Sequence, residues 1–82
     1  MSVGGRIIEI RPFTQTDVDD PKWRREVIRI WVVARNGDEA IVYAEPASVL
    51  PKLGDDIWWQ SKKIFFNYNN NFLKKIGYSH TP

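Results

Sequence analysis

The feature that most narrows what this chain can become is Arg35-Asn36-Gly37-Asp38, set between two runs of β-branched residues. Asn-Gly favours the positive-φ backbone of a type I′ turn, whose twist matches an antiparallel hairpin. The run before it, Trp23 to Arg35, holds Val27, Ile28, Ile30, Val32 and Val33 around Trp31; the run after it is Ala40-Ile41-Val42-Tyr43-Ala44. Both have strand composition. A two-residue turn fixes the register: Arg35 against Asp38 sets Val33 opposite Ala40, Trp31 opposite Val42 and Arg29 opposite Ala44. The other face then carries Ile28, Ile30 and Val32 with Ile41 and Tyr43, which reads as core. On the first face, two alanines leave space beside Trp31 and Arg29.

The rest of the chain repeats this alternation of short apolar runs and turn residues. Arg6 to Phe13 is expected as a first strand, with Ile8 and Ile10 on one face and Glu9 and Arg11 on the other. Pro12 lacks a ladder donor, so the pairing weakens or reaches an edge there. Thr14 to Pro21 is polar, acidic loop. Pro46 to Pro51 is a connector with room for one helical turn between its prolines. Lys52 to Asp56 turns into a strand Ile57-Trp58-Trp59-Gln60, a tight turn leads through Lys63 to a strand Ile64 to Tyr68, and Asn69-Asn70-Asn71 turns into a last strand Phe72 to Tyr78. The ends are expected to fray near 1–4 and 79–82. Eighty-two residues support one core and one domain. Six short strands without a helical period predict an all-β fold: a small antiparallel barrel, OB-like or SH3-like, or a bent meander.

Several function classes fall away on composition. The chain has no cysteine, which removes a disulfide framework, thiolate catalysis and a Cys-based zinc site, and favours a cytoplasmic setting. No apolar run approaches the ~18 residues of a membrane span. The one histidine, His80, lies two residues from the end, a poor place for a general base that must be held within about 3 Å of its proton. Asp19-Asp20 and Asp55-Asp56 sit in turns, where aspartate serves local backbone donors. No phosphate-binding glycine loop, EF-hand or nucleophile elbow is present. The expectation is a protein without catalytic residues, metal or cofactor.

Leu50-Pro51-Lys52-Leu53-Gly54-Asp55-Asp56-Ile57-Trp58-Trp59, followed by Ile76-Gly77-Tyr78-Ser79, resembles the C-terminal half of small uncharacterised phage or prophage proteins. The resemblance covers about a third of the chain and transfers no functional residue. It implies a phage-type accessory protein working in the host cytoplasm.

The remaining signal is aromatic and basic interleaving. Four Trp, three Tyr and four Phe are many for this length, and each can bury ~150–250 Å². Net charge is only +2, but the bases gather as Lys22/Arg24/Arg25/Arg29, Lys62-Lys63 and Lys74-Lys75. Flat rings that stack on bases and cations that meet phosphates are what single-stranded nucleic acids and nucleotides need. The expected ligand-binding residues are Arg25, Arg29, Trp31, Trp59, Lys62 and Lys63, with the space left by Ala40 and Ala44 beside Trp31 as a pocket for a nucleotide signal of host defence. The alternative is an interaction protein. On that view the Val27, Trp31, Val33 and Val42 face docks on another copy, giving a homo-oligomer, or on a host protein that the chain inhibits.

Overall fold

The computed structural model describes residues 3–66 and 72–80, and the only regular structure among them is β-strand. The strands are β1 (Val3–Thr16), β2 (Arg24–Val33), β3 (Glu39–Ala44), β4 (Asp56–Trp59), β5 (Lys63–Phe66) and β6 (Phe72–His80). They close into a barrel of order β1-β2-β3-β6-β5-β4, with every neighbouring pair antiparallel. Two three-stranded meanders, β1–β3 and β4–β6, are therefore joined by the connector at 45–55 and sewn together along two seams, β3 to β6 and β4 to β1. Of the two architectures expected from the sequence, an antiparallel barrel or a bent meander, the barrel forms, and its closure leaves few unpaired backbone groups along the sheet.

The β2–β3 hairpin forms with a register one residue away from the expected one. Gly37 N–H donates to the Ala34 carbonyl (3.0 Å) and Ala34 N–H to the Asp38 carbonyl (2.8 Å), while Gly37 takes a left-handed φ of 90°. This is a three-residue loop ending in a glycine bulge, the next commonest hairpin after the two-residue turn. Asn36 supports it by accepting a hydrogen bond from Asp38 N–H at 3.0 Å. The result pairs Val32 with Ala40, Trp31 with Ile41, Ile30 with Val42, Arg29 with Tyr43 and Ile28 with Ala44. A one-residue slip exchanges the faces of β3. Ala40, Val42 and Ala44 therefore point inward with Ile28, Ile30 and Val32, and Ile41 and Tyr43 point outward.

The alanines have their explanation inside the barrel. In the ring of strands β3 lies diametrically across from β4, whose inward residues are Ile57 and Trp59. Ala40 and Ala44 point into the same cluster as Trp59, with Ile7, Ile64, Phe66 and Leu73, and the Trp59 ring lies 5.9 Å from that of Tyr78 on β6. Pairing small with large side chains across a narrow barrel is how such an interior reaches close packing.

β1 is longer than expected because it serves both a seam and its own meander. Val3–Arg6 pairs with β4 and Arg6–Thr16 with β2. Beyond the β4 ladder β1 has one neighbour, so Pro12, opposite Ile28, costs no second ladder bond. The strand can pass between its two partners only because residue 5 has no side chain: a Cβ there would stand 2.3 Å from the Val33 carbonyl oxygen. Ile7 then exchanges hydrogen bonds with the end of the connector, accepting from Gly54 N–H (2.9 Å) and donating to the Asp55 carbonyl (3.0 Å), after which a bulge at Ile8 restores the alternation.

Two expectations about the chain's edges are corrected. Val3 and Gly4 pair with Trp59 and Trp58, and Ser79 and His80 pair with Ile41 and Ala40, so these residues are seam and not frayed ends. The stretch between Pro46 and Pro51 forms no helical turn; it runs as bends and open chain, with Pro51 buried. The turn expected at Asn69-Asn70-Asn71 lies outside the described residues.

Candidate nucleic-acid interface

The second meander presents an ordered array on its outer surface. With Ile57 and Trp59 turned inward, alternation turns Trp58 outward on β4. Trp58 pairs with Phe65 on β5, and Phe65 pairs with Phe72 on β6. The three rings form a row across the strands: Trp58 and Phe65 are stacked at 5.9 Å with an interplanar angle of 15°, and Phe65 and Phe72 are tilted at 6.3 Å. Trp58 and Phe65 are half-buried and Phe72 is 51% exposed.

Two residues along β5 and β6, on the same face, lies a row of cations. Lys63 pairs with Lys74, and the Lys63 ammonium sits 4.7 Å from the centre of the Phe72 ring. Lys75 N–H donates to the Lys62 carbonyl (2.9 Å), so the two lysine pairs of the sequence become one cluster at the mouth of a hairpin. Arg25 joins from β2. Glu45, whose N–H donates to the Lys74 carbonyl (3.0 Å), holds its Oε1 3.4 Å from both Lys74 Nζ and Arg25 Nη2. All three basic groups of the sequence thus contribute to this side of the barrel, with one carboxylate between two of the cations.

Beyond Trp58 the row opens into a hollow of about 1080 Å³ where β1, β4 and the β2–β3 turn meet. Arg6, Ile8, Arg35, Asn36 and Asp56 line it beside Trp58.

The other expected residues fall elsewhere. Trp59 is 4% exposed inside the barrel, so no base can reach it, and the outward ring on that strand is Trp58. Arg29 and Trp31 lie on the outer face of the first meander, where the Arg29 guanidinium stands 5.7 Å from the ring centres of both Phe13 and Trp31. Glu9 Oε1 lies 3.2 Å from Arg11 Nε and 4.0 Å from Arg29 Nη1. The 3.2 Å contact is an ion pair without hydrogen-bond alignment, since among the described residues Glu9 Oε1 is buried with no hydrogen-bond partner, as are Arg29 Nε and Trp31 Nε1.

This lid of large side chains covers Val27 and Ile41, which are 1% and 5% exposed although they lie outside the main core cluster. The apolar docking face expected there is therefore a small satellite core, and Val42, expected on it, is fully buried inside the barrel. The pocket expected beside Trp31 is absent for the same reason: Ala40 and Ala44 face inward, and Trp31 stands opposite Ile41.

The acidic pairs serve turns. Asp55 Oδ2 accepts from Lys52 N–H (2.8 Å), and Asp17 and Asp20 accept from Asp19 N–H and Lys22 N–H.

Trp58, Phe65, Phe72 and Lys74 carry the array, and the sequence does hold a signal for them. Lys63-Ile64-Phe65 and Phe72-Leu73-Lys74 are mirror images, which antiparallel pairing brings into line, lysine on lysine and ring on ring. Glu45 had no such signal, because its role depends on the seam between β3 and β6.

No family model, curated protein or solved structure matches the chain.

Proposed function

We propose that this protein is a non-enzymatic binding module for a ligand that carries both a base and a phosphate, held on the outer surface of β4, β5 and β6. The observation that carries this reading is the row Trp58–Phe65–Phe72 lying beside the cations Lys63, Lys74 and Arg25. Bases stack on rings with a gain of ~1–3 kcal/mol each, and the cations stand where the phosphates of the same ligand fall. Cross-strand aromatic pairs also stabilise a sheet by ~0.2–1 kcal/mol each, so a ladder with no ligand is the competing account. That account explains the stacked pair Trp58–Phe65. It covers the Phe65–Phe72 pair as well; what favours a ligand is that Phe72 is half exposed beside the Lys63 ammonium, so the row ends in a ring and a cation that a base and a phosphate can reach.

Titration followed by intrinsic Trp fluorescence, with nucleotides and single-stranded oligonucleotides at low salt, tests the reading. Saturable quenching that is lost in Phe65→Ala, with the circular dichroism of the barrel retained, is the expected result. An undisturbed emission with every ligand would leave the aromatic row as sheet stabilisation only.

The interaction-protein alternative placed its contact on the Trp31 face. With Val27 and Ile41 already covered there, that face offers a partner less apolar surface than its sequence promised.

A further inference from the structure

Resting on the base-and-phosphate reading, we infer that the ligand is a single-stranded polymer. It crosses the strands from β6 through β5 to β4 and ends in the hollow beyond Trp58, occupying about four nucleotides. Three observations carry this inference. The first is the number of rings. A mononucleotide uses one stacking surface and an enclosing pocket, whereas here three rings lie in line on an open face. Their centres are 5.9 and 6.3 Å apart, wider than the ~3.4 Å rise of stacked bases, so successive bases bind splayed, each against its own ring.

The second is the placement of charge. Lys63 and Lys74 flank the β5 and β6 rings from one side, with Arg25 next to Lys74 through Glu45. At the other end Arg6 and Arg35 line the hollow that continues from Trp58. Cations at both ends of an aromatic row follow a backbone; a single phosphate group needs one cluster. The third is the exclusion of duplex. Paired bases are stacked on one another and cannot lie on the rings, and a few cations on a chain of net charge +2 are thin support for duplex binding through the backbone alone.

Competition against a labelled eight-nucleotide thymidine oligomer, read by fluorescence anisotropy at low salt, tests the length. The competitors are thymidine monophosphate, unlabelled oligomers of two to eight nucleotides and a matched duplex. Binding should tighten about fivefold or more with each nucleotide up to four and then level off. The duplex should compete at least tenfold more weakly than the oligomer of equal length. Arg35→Ala should weaken the five-nucleotide oligomer several-fold and the two-nucleotide one by a smaller factor.

Monophosphate competing as well as the longest oligomer would overturn the polymer inference and leave the base-and-phosphate reading standing. So would duplex competing equally with the single strand. Failure of the labelled oligomer to bind, together with unchanged Trp emission on adding monophosphate, would remove both readings at once.

Discussion

Adjacent tryptophans on β4 have opposite fates. Trp59 is buried in the barrel's core cluster, so Trp59→Ala should lower stability by ~3–5 kcal/mol, seen as a large fall in the urea midpoint. Trp58→Ala, on the outer face, should cost under half as much and should instead weaken oligonucleotide binding by about tenfold, in line with the loss of one stacked base. If the two variants lose stability equally, the assignment of inner and outer ring is wrong.

Glu45 sits at the same scale. Its carboxylate lies between Lys74 and Arg25, where it competes with an incoming phosphate for both. The pairs themselves are solvent-accessible and contribute ~0–1 kcal/mol, so their loss should hardly alter the fold. Glu45→Gln should therefore tighten binding several-fold with the thermal midpoint almost unchanged. Weaker binding in that variant would mean that the carboxylate positions the cations for the ligand instead of masking them.

At the scale of the element, two glycines separate two physical demands. Gly37 is in the left-handed region with open space around its Cβ position, so Gly37→Ala should cost only the conformational term, about 1–2 kcal/mol. At Gly5 the obstacle is the Val33 backbone itself, which a side chain cannot push aside without parting β1 from β2. Gly5→Ala should cost more than Gly37→Ala, and paired urea titrations give the order directly.

The same elements show how far the sequence could be read. Turn residues and β-branched runs located all six strands, because those signals are local. The face of β3 was not legible, since Asn-Gly is compatible with both a two-residue turn and a three-residue turn with a bulge, and the choice between them moves every side chain by one. Packing decides it: only the longer turn puts Ala40, Val42 and Ala44 inside the barrel with Ile28, Ile30 and Val32. The candidate site was partly legible for that reason. Lys62, Lys63 and Arg25 lie on the side now proposed to bind, while Arg29 and Trp31 belong to a satellite core whose cover is tertiary.

For the molecule as a whole, the charge pattern sets how binding responds to salt. Three to five cations serve the proposed track, and two carboxylates, Glu45 and Asp56, offset part of their effect. With two to three phosphates neutralised, the logarithm of the binding constant should fall with the logarithm of salt with a slope of about −1.5 to −2. A slope near −5 would demand more cations than this face supplies.

Closure through two seams has a further consequence. Each half of the chain is a complete meander with two open edges, and those edges match only the edges of the other half. The stretch from Pro46 to Leu53, mostly exposed, is the only covalent tie between them. Cutting there should yield two fragments that are unfolded alone and rebuild the barrel when mixed, with the aromatic row restored on the smaller piece. On the proposed reading, recovered quenching of Trp58 by a short oligomer would then report that the two halves have met.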